Sequence, residues 1–114
     1  MSIKIERISD ALIEQISYIV SNKVKNKDIN FVTITDVKVS SDLGFAKVYF
    51  TVLDDSKIDS TLKALKEASG FIRHELRDII EIRQIPELTF VYDESINEAK
   101  KIEDIIEKYM KSSL

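Results

Sequence analysis

Two runs rich in β-branched residues, FVTITDVKVS (residues 31–40) and FAKVYFTV (residues 45–52), are separated only by SDLG (residues 41–44). Both read as strands, and so short a connection ties them into an antiparallel hairpin. In the second run Ala46, Val48, Phe50 and Val52 alternate with Lys47 and Tyr49, so one face is apolar and the other polar. The first run slips: Val32 and Ile34 share one face, Val37 and Val39 the other. A bulge near Thr35–Asp36 brings both pairs to the same side. Gly44 is expected to take a left-handed conformation in the turn. A hairpin with one apolar face is not stable by itself; it needs a further strand and a layer of helices.

The rest of the chain supplies them. Ile5, Ile8, Leu12, Ile16, Ile19 and Val20 recur at helical spacing. This predicts a first helix ending near Val24, with Lys23, Lys25 and Lys27 where cations suit its C-terminus. DDSKIDS predicts a helix start around Ser56. The stripe Leu62, Leu65, Ile72, Leu76, Ile79 then carries helical pattern to about Glu81. Pro86 opens PELTFVYD, a third strand with Leu88, Phe90 and Tyr92 on one face. Ser95-Ile-Asn-Glu98 is a capping box, and Ala99, Ile102, Ile105, Ile106 and Tyr109 form the apolar side of a last helix. The expected order is α-β-β-α-α-β-α. This is an α+β domain over residues 1–95, a three-stranded sheet with helices on one face, followed by a helical extension over 96–114. The third strand runs parallel to the second if they are neighbours; otherwise it pairs with the first.

With 114 residues, 44% hydrophobic and 32% charged, one globular domain is expected. There is no cysteine, which excludes disulfides and thiolate metal sites and suits a reducing cytoplasm. No apolar run approaches the length of a membrane span, and the charged N-terminus lacks a secretory h-region. Net charge is −3, but the deficit is local. Residues 1–53 hold 7 basic and 6 acidic residues, 54–86 hold 6 and 7, and 87–114 hold 4 and 7. A basic face on the first three quarters is compatible with that distribution.

The stretch LKALKEASGFIRHEL (62–76) places Gly70, one of only two glycines, inside a helix, where glycine costs about 1 kcal/mol relative to alanine. Lys63, Lys66, Gly70, Arg73 and Arg77 fall on one helical face. A break there would bare N–H groups for a phosphate, with cations on both sides. Alternatively, Ser69-Gly70 only bends the helix, and the charges form an ordinary solvated face.

VTITDVKVSSDLGFAKVYF, LKALKEASGFIRHEL and IRQIPELTFVYDESI, in this order and spacing, resemble the ribosome-binding factor A family of bacterial small-subunit assembly factors. The resemblance spans nearly the whole chain. It implies a type II KH-like fold, α-β-β-α-kink-α-β, with the kink at Ala68-Ser69-Gly70. It also implies RNA binding, association with the free immature 30S subunit and its 16S rRNA, and help with maturation of the rRNA 5′ end. Importance in the cold is implied as well. The RNA-facing candidates are Lys63, Lys66, Gly70, Arg73 and Arg77, then Lys4, Arg7, Lys23, Lys25, Lys27, Lys47 and Arg83.

Other residues carry weaker signals. His74, the only histidine, sits on a helix with no second ligand type at metal spacing, and no metal is expected. Asp54, Asp55, Asp59, Asp93 and Glu94 read as helix caps rather than acid/base or calcium groups. No nucleophile has an activating partner, so neither enzymatic activity nor a cofactor or small-molecule substrate is expected. Phe45, Tyr49 and Tyr92 could stack on bases, Tyr49 being the best exposed, or simply pack. The expected protein is a cytoplasmic monomer. The competing reading is a small α+β protein-interaction or oligomerisation domain without RNA.

Overall fold

The computed structural model describes residues 2–29, 31–82 and 84–95. Its elements are α1 (Ser2–Asn22), β1 (Val32–Val39), β2 (Phe45–Val52), α2 (Ile58–Ile79) and β3 (Glu87–Tyr92). The strands form one sheet in the order β1-β2-β3. The β1–β2 hairpin is antiparallel, and β3 lies parallel to β2, reached through α2. Of the two pairings open to the third strand, the structure takes the one beside β2.

The register confirms the bulge. Ile34 faces Phe50 and Asp36 faces Tyr49, so Thr35 is the extra residue. Ile34 and Val37 are consequently both buried. The Asp36 carboxylate accepts from Val37 N at 2.8 Å. Thr35 Oγ1 reaches past β2 and donates to Asp93 Oδ2 at 2.6 Å.

The helices pack on the same side of this sheet. Ile8, Leu12, Ile16 and Ile19 of α1 meet Leu65, Ile72 and Leu76 of α2 and the inward row Ala46, Val48, Phe50, Val52 in one core. Leu88 and Phe90 complete it from β3, and Tyr92 meets Phe50 edge-on, ring centroids 5.9 Å apart. The buried Thr61 Oγ1 donates to the carbonyl of Asp28 at 3.1 Å, fastening the α1–β1 connection to α2.

Four expectations need correction. Gly44 does not have a positive φ; Leu43 does, at 62°. A Cβ at Gly44 would lie 3.2 Å from Asp42 Oδ1, which accepts from Gly44 N at 2.9 Å, so a side chain there would press on that carboxylate. Asp54 caps a short 3-10 turn, Asp55–Lys57, and α2 begins only at Ile58. Ile79, at the end of the apolar stripe, is exposed, because the chain turns extended at Ile80. The last correction concerns Gly70. α2 runs unbroken through Ala68-Ser69-Gly70, and no glycine has a positive φ. The apolar line 65, 72, 76 already holds both halves of α2 to the core, so packing demands no interruption. Ser69 Oγ donates back to the Lys66 carbonyl at 2.9 Å, a bond that can bend a helix without opening its ladder. The expected helical extension over 96–114 lies outside the described residues.

Candidate nucleic-acid interface

At 3.6 residues per turn, the buried line of α2 leaves two flanks and an outer ridge. Lys66, Arg73 and Arg77 lie on the flank facing β3. Ala64, Ala68, Phe71 and Glu75 lie on the flank facing the end of α1. Lys63, Gly70 and His74 lie on the ridge. The structure therefore divides the expected cations among several surfaces.

On the β3 flank, Arg73 is half-buried. Its Nε donates to the Pro86 carbonyl at 3.1 Å and its Nη2 to the Ile85 carbonyl at 2.9 Å. Those bonds hold the segment that starts β3. Arg77, one turn on, is exposed and shares a groove of about 440 Å³ with Arg73, Gly44, Gln84, Ile85 and Glu87. Gln84 Nε2 donates to the Leu43 carbonyl at 3.2 Å, which joins the hairpin turn to the floor of this groove. Arg83 lies outside the described residues.

On the α1 flank, Lys23 and Lys25 border a groove of about 360 Å³ whose α2 wall is Ala64, Glu67, Ala68 and Phe71. The two alanines keep that wall low, and Phe71 is 44% exposed. Lys23 Nζ pairs with Glu75 at 3.1 Å, so part of its charge is engaged within the fold. Lys25 is exposed.

The ridge between the grooves is cationic at Lys63, which is exposed, as is Lys66 on the neighbouring flank. It is bare at Gly70: a Cβ built there would meet nothing within 4 Å. The helix is intact, so no free N–H groups are offered at that point. Gly70 instead removes steric bulk between the flanks, which lets a phosphate or sugar come close to the helix surface.

The remaining candidates lie elsewhere. Lys4 and Arg7 are exposed near the start of α1, roughly 25 Å along its axis from Lys23. Lys27 borders a separate groove with Lys57, Phe31 and Leu53. Lys47 is on the outer face of the sheet, directly across from Lys38. Lys38, which spacing alone did not single out, holds its Nζ 5.4 Å from the centre of the Tyr49 ring. Finding that pair required the register, which the Thr35 bulge sets. Tyr49 is half-buried, Tyr92 packs inward, and Phe45 is 58% exposed. The more accessible ring is thus Phe45, not Tyr49.

His74, Glu75 and Asp78 bring ligand atoms within 4.8 Å of one another. Asp78, four residues on from His74, is thus a second ligand type at helical spacing, contrary to expectation. His74 and Asp78 are open to solvent and Glu75 holds Lys23, so this is a charged helix face. Among the described residues no helix is long and apolar enough to cross a membrane.

The family pattern described as Ribosome-binding factor A matches residues 4–106. Ribosome-binding factor A of Staphylococcus epidermidis is 48% identical over 112 residues, covering 97% of each chain. That of Staphylococcus carnosus is 48% identical over 103 residues, covering 90% of each. The crystal structure of ribosome-binding factor A from Thermus thermophilus superposes with a TM-score of 0.72 at 18% identity, over 77% of this chain and 93% of that one. A Thermus thermophilus homology model of the factor, fitted into a cryo-EM map of a 30S–RbfA complex, gives 0.65 at 19% identity, over 75% and 91%. The chain belongs to the ribosome-binding factor A family.

Proposed function

We propose that this member of the ribosome-binding factor A family is a non-enzymatic assembly factor that binds the free, immature 30S subunit through the exposed side of α2. The observation that carries the reading is the match over nearly the full chain to a family with a member fitted into a map of a 30S complex. The geometry adds a surface suited to gripping an RNA backbone, with Lys63, Lys66 and Arg77 beside the bare Gly70 and a groove on either flank. Phosphate contacts supply the affinity, and the net charge of −3 keeps binding to arbitrary RNA weak. The factor holds a segment of 16S rRNA in one arrangement while its 5′ end matures, then leaves before translation. Slow rearrangement of RNA at low temperature makes this assistance matter most in the cold. It acts as a monomer in the cytoplasm, with no cofactor or small-molecule substrate.

Co-sedimentation with separated ribosomal subunits across a salt series tests this. Binding to free small subunits, absent from large subunits and joined ribosomes, is expected to fall steeply with salt. Lys63→Glu with Lys66→Glu should lower the slope of log affinity against log salt by roughly 1–2 while leaving the melting temperature in place. No association with immature small subunits at low salt overturns the reading.

A further inference from the structure

On the flank of α2 that faces the end of α1, Ala64, Glu67, Ala68 and Phe71 recur at helical spacing and form one wall of a groove of about 360 Å³. That size falls within the roughly 300–1,000 Å³ of small-ligand sites. Ala64 is buried and Ala68 half-buried, so this wall is low and apolar, and the Phe71 side chain is 44% exposed beside it. An open aromatic ring next to an apolar surface suits an unstacked base.

The opposite wall is the loop after α1, and it is already ordered. Asn26 Oδ1 accepts from Asp28 N at 2.9 Å, and the Asn26 carbonyl accepts from Ile29 N at 3.0 Å. The Asp28 carbonyl accepts from the buried Thr61 hydroxyl at 3.1 Å. With its oxygen engaged, the Asn26 amide has its N–H donors left to offer. Lys23 Nζ is committed to Glu75, while Lys25 is exposed and unpaired among the described residues. Glu67, exposed in the same groove, takes part in no hydrogen bond or ion pair among the described residues.

Glu67 selects the occupant. A carboxylate repels phosphate, so it adds nothing to a surface that only grips an RNA backbone. It is an acceptor without a donor, and it suits a base edge with adjacent donors. Guanine alone of the four RNA bases offers that, in N1–H and the 2-amino group. In adenine and cytosine a ring-nitrogen acceptor sits beside the amino group, and in uracil the N–H lies between two carbonyl oxygens. Guanine O6, next to N1, is an acceptor and fits an amide donor such as Asn26.

We propose that the groove between the end of α1 and α2 holds an unpaired guanine of the small-subunit RNA. The base stacks on Phe71, its N1–H and 2-amino group donate to the Glu67 carboxylate, Asn26 donates to O6, and Lys25 meets the phosphate. Gly70 precedes Phe71, and a Cβ there would meet nothing within 4 Å, so the strand can cross the ridge to reach the groove. This rests on the small-subunit reading of the protein's function and adds base recognition to the backbone contacts of Lys63 and Lys66.

Affinity for free small subunits, measured by co-sedimentation across a salt series, tests it. Glu67→Gln removes an exposed negative charge, which would tighten or leave unchanged a contact with phosphates alone. Here it should weaken binding roughly five- to a hundredfold. Phe71→Leu keeps the apolar bulk and should weaken binding by a similar factor with the salt slope unchanged, because stacking releases no counterions. Phe71→Tyr keeps the ring and should bind within about twofold of the parent. Binding that Glu67→Gln leaves unchanged or tightens, or that Phe71→Leu leaves unchanged, overturns this proposal alone when the parent binds small subunits. A parent that binds none overturns the assembly-factor reading as well. Ultraviolet crosslinking of the bound complex reads the base: the peptide containing Phe71 should carry a guanosine adduct. An adduct of another base, or a crosslink only to protein, overturns the proposal. Guanosine monophosphate that shifts the Ala64 and Ala68 methyl resonances, while both variants bind subunits like the parent, would give the groove to a free nucleotide and overturn it too.

Discussion

The inner and outer sides of α2 use similar spacings for different ends. On the inner side Leu65, Ile72 and Leu76 are fully buried and close the core. On the outer side Lys63, Lys66 and Gly70 touch water. The boundary is the instructive part. Arg73 and Arg77 are one turn apart and carry the same charge. Arg73 is locked to the carbonyls of Ile85 and Pro86, while Arg77 is exposed. A cation beside an apolar stripe can be a fastener or a contact for a partner, and the neighbouring strand decides which.

The largest effect should come from the inner side. Leu76→Ala removes a side chain with no exposure and should cost about 2–5 kcal/mol in urea or thermal unfolding. A smaller loss would mean that α2 is less tightly docked than its burial implies.

Arg73→Ala is the sharpest test of the boundary. It leaves two half-buried carbonyls without their donors and should cost about 1–3 kcal/mol. Arg77→Ala should stay within about 0.5 kcal/mol of the parent. Equal melting of the two variants would erase the distinction between them.

Gly70→Ala should stabilise the fold by about 0.5–1 kcal/mol, because the helix is regular and open space surrounds the missing Cβ. Weaker subunit binding by that more stable variant would identify steric access as the reason for glycine. A destabilised variant would instead mean that the helix is not regular at Gly70.

The smallest effect lies away from α2, where acid sensitivity resides. The Asp93 carboxyl is held below its usual range by the Ser95 hydroxyl and then by Thr35. A depressed value in the folded state means the contribution is complete above the ordinary carboxylate pKa, about 3.9, and is lost as pH falls through the lower folded value. Thr35→Val should therefore melt below the parent at pH 7, and the gap should narrow below about pH 4. A gap independent of pH would mean that the Thr35–Asp93 bond does not carry it.

Much of the fold was legible in the residues. Alternation in 45–52 named the four inward side chains of β2, and the slip at Thr35–Asp36 located the bulge, because period two leaves a strand no other way to bury both halves. Turn chemistry was less legible. Gly44 drew the left-handed assignment that belongs to Leu43, since glycine's freedom is a permission and not a requirement. The site was legible as a set of cations but not as a surface. Spacing put Arg73 in the binding stripe, and nothing local to it shows that residues 12 and 13 positions later will take its hydrogen bonds.

By itself the sequence determined the elements, their apolar faces and the resemblance that carries the functional reading, because periodicity and ordered motifs are properties of neighbours along the chain. Tertiary structure alone decided that β3 lies beside β2, that α2 passes Gly70 unbroken and that Arg73 is a fastener. It also divided the cations among separate surfaces and left Phe71 exposed in the groove beside the end of α1. Each of these depends on which distant groups meet, and a local pattern can state what a residue is able to do but not what stands across from it.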